Sequence, residues 1–405
     1  MHKMTIDDVD LAGRRVLMRV DFNVPLTDTG VADDTRIRAT LPSIRKVIGD
    51  GGRAVLVSHL GRPKGKTKPE YSLAPVAAHL SALLGRPVLF GEDCVGPKAA
   101  AVVDRLGDGD LCLLENLRFH PGEENNDPEF ARQLAAWGDV YINDAFGTAH
   151  RAHASTVGVT EHIPICAAGY LMKRELEYLG RLLADPKRPF VALLGGSKVS
   201  GKLEVITHLL ETVDAILIGG GMAFTFLKAQ GKEVGRSLVE DNLVDTARAI
   251  LRQVEQGGCR LILPTDCVAA PDLEGASKPM TVSIDGIPHN HAGYDIGPES
   301  VRAFATELAG AGTIFWNGPM GVFETPPFDT ATVALAQAIA AATDRGAISV
   351  VGGGDSVAAV HAAAVAERIS HISTGGGASL EFMEGKVLPG VAALSDRKAA
   401  ASVRG

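Results

Sequence analysis

The sequence predicts an α/β protein of two doubly wound parallel sheets, Rossmann-like domains joined by a helical hinge, and three observations carry that prediction. Short β-branched or apolar runs alternate with helical patterns along most of the 405 residues. The runs stop at polar, basic or glycine-rich loops, where a parallel sheet places its ligands. The alternation is broken once, between Ala167 and Pro189, by the charged amphipathic stretch Tyr170 to Leu179, closed by Asp185-Pro186. That stretch reads as a connector. It divides the chain into expected domains at 1–170 and 171–385, in line with a prior of roughly 150 residues per domain.

In the first half, Arg15 to Val20 reads as a strand, followed by Asp21-Phe22-Asn23-Val24-Pro25 and a helix from Asp34-Thr35-Arg36 through Ile48. Strands Ala54 to Ser58, Leu111 to Glu115 and Val140 to Asn143 follow, with helices at Ala74 to Leu84 and Pro128 to Ala136. Their trailing loops carry His59-Leu60-Gly61-Arg62-Pro63-Lys64, Asn116-Leu117-Arg118-Phe119-His120 and Asp144 to Arg151. The topology rule therefore gathers Arg36, His59, Arg62, Arg118 and Arg151, five potentially cationic donors, around one mouth. Each alone has a plain reading: a loop arginine as a solvated surface charge, His59 as a helix cap. Converging from separate strands, they would repel one another unless an anion filled the mouth, and arginine's planar fork suits carboxylate and phosphate. Asp21 and Asn23 accept from and donate to a hydroxyl. The His150-x-x-His153 spacing lacks a third ligand nearby and reads as a polar wall, not a metal site.

In the second half, the strand Phe190 to Leu194 stops at Gly195-Gly196-Ser197-Lys198-Val199-Ser200-Gly201-Lys202, and Lys202 to Leu210 has helical spacing. A strand-to-helix turn of this kind favours an anion through its backbone N–H groups and helix dipole. From Gly196 the string satisfies the first seven positions of a P-loop, but Leu203 stands where a P-loop needs a Ser or Thr hydroxyl, so a different, two-lysine phosphate site is the better reading. Strands Ala215 to Ile218, Leu261 to Pro264, Thr313 to Trp316, Ile348 to Val351 and Ser370 to Thr374 follow. They run into Gly219-Gly220-Gly221, Thr265-Asp266, Asn317 to Glu324, Gly352-Gly353-Gly354-Asp355-Ser356 and Gly375-Gly376-Gly377, with helices at Ser356 to Ala366 and Ala378 to Glu384. Three triple-glycine turns on one sheet edge describe backbone amides cradling phosphates. Asp355 is placed to hold Mg²⁺, or else to N-cap the helix after it; Glu324 accepts from a ribose hydroxyl or sits in a loop.

Bulk properties narrow the classes. The 46% hydrophobic content supports large cores, and the formal net charge of −8 excludes a general nucleic-acid or membrane binder. Five cysteines without a C-x-x-C pair lie in or near apolar runs, which suits buried free thiols in a reducing compartment. The amino-terminal stretch has no apolar h-region and no window approaches ~18 uninterrupted apolar residues, so a cytoplasmic protein is expected, and a monomer. An organic anion held by arginines and a polyphosphate held by glycines, lysines and a carboxylate make a kinase the economical inference, because phosphoryl transfer asks mainly for positioning and positive charge.

In order along the chain, Arg19-Val20-Asp21-Phe22-Asn23-Val24-Pro25, the His59 to Pro63 loop, Gly195 to Lys202, Gly219 to Phe226, Trp316 to Glu324, Gly352 to Ser356 and Ser373 to Leu380 resemble the phosphoglycerate kinase family from end to end. The resemblance implies reversible transfer of the acyl phosphate of 1,3-bisphosphoglycerate to Mg·ADP, giving ATP and 3-phosphoglycerate, in glycolysis, by direct in-line transfer on domain closure. It implies that Asp21 and Asn23 orient the glycerate, with Phe22, Leu60 and Gly61 beside them, and that His59, Arg62, Arg118 and Arg151 clamp its non-transferred phosphate. Arg36 resembles the residue at the carboxyl end where transfer occurs. Lys198 resembles the lysine that follows the moving phosphoryl group, and Lys202 the one on the α-phosphate. Gly354, Gly376 and Gly377 join Arg36 and Lys198 in the implied catalytic set. Gly219, Asn317, Pro319, Glu324, Gly353, Gly354, Asp355 and Ser356 are the implied nucleotide contacts, Asp355 being the Mg²⁺ ligand. The family's C-terminal tail, here 386–405, crosses back to the first domain; from the residues themselves a frayed end is equally open. One departure stands out: His291-Ala292-Gly293-Tyr294 precedes Asp295-Ile296-Gly297-Pro298 where the family usually has Trp-Met-Gly-Leu, which leaves the base preference open. A P-loop-like nucleotide hydrolase and a non-catalytic nucleotide-binding protein are the alternatives; Leu203 argues against the first, and the intact Lys198, Asp355 and arginines against the second.

Overall fold

A computed structural model describes residues 2–273 and 278–397. Its contacts divide the chain into two units, the first ending at Glu177 and resuming at Val387, the second running from Tyr178 to Lys386. The division falls inside the helix Tyr170–Ala184, seven residues beyond the 170/171 boundary expected from the connector's first residue.

The first unit is built on six parallel strands in the order Leu89–Gly91, Leu111–Leu114, Arg53–Val57, Arg15–Val20, Val140–Asp144, Cys166–Ala168. Arg15–Val20 lies in the middle, with Leu17 opposite both Val55 and Tyr141. It is buried along nearly its whole length, as a strand with both faces covered must be. The helix Thr35–Gly49 lays Ile37, Leu41, Ile44 and Val47 on the core, the spacing of a single helical face. Asp127 caps the helix Pro128–Ala135 by accepting from Phe130 N at 2.8 Å.

The second unit orders its parallel strands Arg260–Ile262, Ala215–Ile218, Phe190–Leu194, Thr313–Asn317, Ile348–Gly352, His371–Ile372. The winding reverses between Phe190–Leu194 and Thr313–Asn317, so the loops after these two strands border the crevice where doubly wound sheets bind ligands.

Several elements differ from expectation. Leu89–Gly91 and Cys166–Ala168 are strands too short to announce themselves by periodicity. The last strand shrinks to His371–Ile372, and Leu261 to Pro264 becomes Arg260–Ile262. A three-stranded antiparallel sheet, Met280–Ser283, Asp266–Ala270, Ala292–Ile296, inserts in the second unit and carries the His291 to Tyr294 departure on its last strand. The helix expected from Ser356 begins at Gly354 and ends at Ala362.

Within the tail, Lys386 belongs to the second unit, where it pairs with Glu204 and Glu384. From Val387 the chain joins the first unit. Gly390 N donates to Ala149 O at 2.8 Å, Ser395 N to Cys166 O at 2.9 Å, and Arg397 pairs with Asp8 at 3.0 Å. Residues 398–405 of the expected tail lie outside the described residues. All five cysteines are buried and unpaired, and among the described residues no helix is long and apolar enough to cross a membrane.

Candidate active site

In the first unit, three strand ends and the first turn of the helix Thr35–Gly49 supply one hydrogen-bonded cluster. The Asp21 carboxylate at the end of the central strand lies 3.4 Å from Arg36 Nη1, and the same guanidinium donates to Asn23 O at 3.0 Å. Asn23 Oδ1 accepts from Gly61 N at 2.9 Å, and Gly61 O accepts from Arg118 Nη1 at 2.7 Å. Gly61 has φ +61°, and a Cβ there would meet the Tyr71 ring at 2.3 Å, so this turn requires glycine. Arg118 is buried and also faces Glu124, with 3.2 Å between Nε and Oε1; burial lowers its affinity for its proton. Asn116 braces the loops, accepting from Leu60 N and Arg118 N and donating to Leu60 O at 2.7 Å. The structure thus brings Asp21, Asn23, Arg36, His59, Gly61 and Arg118 together. Arg62 is exposed, and Arg151 is half-buried with its Nε donating to His150 Nε2 at 3.2 Å.

The Phe22 and Leu60 side chains lie in the hydrophobic core, which leaves only their backbone to face the site, and Phe22 N donates to Ser58 Oγ at 2.9 Å. One expectation needs correcting here. His59 was counted among potentially cationic donors. It is buried against three guanidiniums, and burial first, then Arg19, Arg118 and Arg36, push its pKa well below the ordinary histidine value, so the ring is neutral at pH 7. His153 is likewise held down, to about 4, by burial first and then by Arg19, Arg118 and Arg151; it faces Glu123, consistent with a polar wall.

Three members of this wall escaped the sequence reading. Arg19, within the central strand, is fully buried; Glu123 and Ser155 are buried beside it. The one signal was a charged residue inside an otherwise apolar strand.

In the second unit, a cavity of about 330 Å³ is lined by Gly195 to Lys198, Ser200 to Lys202, Asn317 to Pro319 and Gly353 to Ser356. Its walls are backbone. Gly220 has φ +69°, and a Cβ there would stand 2.7 Å from both Gly196 N and Gly196 O. A Cβ on Gly195 would stand 2.1 Å from Pro319 O. The buried Ser356 Oγ accepts from Gly318 N at 2.6 Å, and Asn317 Nδ2 donates to Gly352 O at 2.9 Å, tying neighbouring loops together. Lys202 reaches Asn317 Oδ1, and its burial brings its pKa down to about 8, partly offset by the Asp355 charge. Lys198 is exposed at the cavity rim. Asp355 is exposed, makes no hydrogen bond among the described residues, and sits second in its helix, whose N-cap is Gly353; the N-cap reading of Asp355 therefore falls.

An adjoining cavity of about 420 Å³ shares Gly196, Ser197, Pro319 and Asp355 with the first and continues past Gly221, Arg236, Leu238, Leu273, Gly293 and Tyr294 to Glu324. Gly219 is buried against Met320, a Cβ there lying 2.5 Å from the sulfur, and it is Gly221 that lines this cavity. Gly376 opens the helix Gly376–Met383, with Gly377 exposed beside it, and a Cβ on Gly376 would lie 3.2 Å from Gly353 Cα.

Comparison with known proteins agrees along the whole chain. The sequence pattern described as phosphoglycerate kinase matches residues 6–386. A phosphoglycerate kinase of Chlorobium luteolum is 56% identical over 396 residues, covering 98% of this chain and 100% of that protein. The solved structure of phosphoglycerate kinase from Coxiella burnetii superposes with a TM-score of 0.87 at 41% identity, covering 96% of this chain and 98% of that one. That of Pyrococcus horikoshii gives 0.84 at 34% identity, with the same coverage.

Proposed function

The chain belongs to the phosphoglycerate kinase family, and from that premise we propose how its residues share the work. It is a kinase of glycolysis. The substrates we assign are 1,3-bisphosphoglycerate and ADP, giving 3-phosphoglycerate and ATP reversibly by direct in-line transfer. The observation that carries the assignment is the paired cavity of the second unit, where amides from three strand ends, Lys202 and Asp355 surround a polyphosphate-sized space that opens toward Glu324.

In this reading Lys202 and the Gly195 to Gly201 amides hold the inner phosphates, and Asn317 and Ser356 fix the loops that present them. Glu324 accepts from the ribose, and the exposed Leu238 and Leu273 give the base an apolar face. Lys198, free to move at the rim, follows the transferring group, and the Gly376 helix end adds its dipole. Asp355 fits Mg²⁺: it offers an exposed, unbonded carboxylate, a hard oxygen donor, beside the phosphate cavity. The ion bound there supplies charge neutralisation on the phosphate oxygens.

In the first unit, Asp21 and Asn23 orient the glycerate, Arg118, Arg151 and Arg62 hold its distal phosphate with His59 as a neutral donor, and Arg36 faces the acyl phosphate. We assign the first unit to the glycerate, the second to the nucleotide, and place the protein in the cytoplasm as a monomer, as its family, composition and lack of any membrane-spanning helix among the described residues suggest. The test is ATP formation coupled to 1,3-bisphosphoglycerate. Lys198→Ala and Arg36→Ala should each cut kcat by at least ~100-fold with an unchanged melting profile. Normal turnover in both removes the mechanism, and ATP loss without an acceptor points to a hydrolase instead.

A further inference from the structure

A guanidinium in the middle of a buried strand is costly unless every donor is used and its charge is answered. At Arg19 each of the three guanidinium nitrogens has a partner, and a buried acid lies within reach of its charge. Its Nε donates to Ser155 Oγ at 2.9 Å, Nη1 donates to Val20 O, and Nη2 lies 3.1 Å from His59 Nδ1. Ser155 passes the contact on: its hydroxyl donates to Glu123 Oε1 at 2.6 Å and its backbone N to Glu123 Oε2 at 3.0 Å. Glu123, fully buried, is the counter-charge; burial raises its pKa, and Arg19 is the largest influence pulling it back down.

This chain fixes a proton. A guanidinium has donors and no acceptor, so the nitrogen of His59 facing Arg19 must be the acceptor, and the ring proton must sit on Nε2. Nε2 makes no hydrogen bond among the described residues. The ring is therefore held as a neutral N–H donor with its donating edge unspent, while Asp21, whose Oδ1 is 3.8 Å from Nδ1, is too far to compete for that nitrogen.

We propose that Glu123 and Ser155 are positioning residues: through Arg19 they lock His59 in its Nε2–H tautomer, keeping a hydrogen-bond donor ready for the substrate phosphate. The proposal rests on the reading of His59 as part of the phosphate clamp. The groups facing His59 are Arg19, Arg118, Arg36 and His153, which disfavour a proton on Nδ1, and Asp21, which would favour one. Cutting the relay lets Arg19 move, and Asp21 then draws the imidazole toward the cation.

The experiment is Ser155→Ala, with Glu123→Gln as a second variant and Ser155→Thr, which keeps the hydroxyl, as the rescue. Long-range ¹H–¹⁵N correlation of the histidine rings reads the tautomer directly. In the parent enzyme His59 should keep the Nε2–H pattern from pH 5.5 to 8. In Ser155→Ala it should titrate within that range, and the KM for 3-phosphoglycerate at pH 8 should rise about tenfold with kcat within about twofold. Because the substrate phosphate itself titrates near pH 6, the informative quantity is the ratio of the two enzymes' KM values across pH, which should vary. Ser155→Thr should restore the parent pattern. An unchanged His59 spectrum in both Ser155→Ala and Glu123→Gln overturns the relay, whatever happens to melting temperature. An unchanged KM in His59→Ala would instead overturn the clamp reading, so the two failures are distinguishable.

Discussion

The two units place opposite materials at the carboxyl edges of two similar sheets. The first builds its wall from side chains, Arg36, Arg118 and Arg151 with His59, and must hold like charges together with acids such as Asp21, Glu123 and Glu124. The second builds its wall from the backbone of Gly195, Gly220, Gly318 and their neighbours, packed closer than any Cβ permits. The difference teaches where each is fragile. A side-chain wall fails gradually, through lost charges and hydrogen bonds, because each donor has its own support. A backbone wall fails at once, since a methyl group has nowhere to go.

The largest effect should therefore come from a single methyl. In Gly220→Ala, the positive φ is strained and the new Cβ meets backbone at 2.7 Å on Gly196 and 2.9 Å on Pro319. Neither neighbour is a flexible side chain that can swing away. Activity should fall at least ~100-fold and the melting temperature by several degrees, read by the coupled assay and a thermal melt. Near-parent activity would mean that the loops tolerate expansion and that the contrast between the walls is wrong.

On the side-chain wall, Arg118→Lys retains the charge and loses the fork. Lysine cannot both donate to Gly61 O and face Glu124 Oε1 from one planar group. The expected loss is smaller, a rise of ~10-fold in the KM for 3-phosphoglycerate with little change in the KM for ADP. Equal changes for both substrates would show that Arg118 supports the fold and not the clamp.

What the sequence made legible follows the same division. The strand Phe190–Leu194 was plain because a strand buried on both faces is a continuous apolar run, and Arg15–Val20 was legible from its Val16-Leu17-Met18 centre although Arg19 interrupts it. Arg36 and Arg118 were visible because charge follows such runs at a sheet edge. That the Phe22 and Leu60 side chains turn into the core was not legible, because a motif names consecutive residues while the backbone sends neighbouring side chains to different sides. Arg19, Ser155 and Glu123 were not legible as a set: Ser155 lies 136 positions from Arg19, and no local pattern pairs them. The antiparallel sheet escaped because its strands are short and mixed, with Met280–Ser283 mostly exposed.

The smallest effect is also selective between the walls, because it rests on a lysine of the second wall whose charge titrates near pH 8. Burial lowers the Lys202 pKa to about 8, so the folded protein favours the neutral amine more than the unfolded chain does. In the free enzyme the positive charge is present below pH 8 and lost above it, and a nucleotide phosphate arriving beside it must draw the proton back. ADP binding should then take up a proton above pH 8, seen in calorimetry as a heat that depends on the buffer's ionisation enthalpy, and the KM for ADP should rise several-fold between pH 8 and 9.5. The KM for 3-phosphoglycerate should stay nearly flat over that range, since guanidinium groups do not deprotonate there and His59 is already neutral. Lys202→Arg supplies the control: whatever activity the bulkier group retains, its ADP affinity should no longer fall with pH. A falling affinity in that variant would place the titrating group elsewhere.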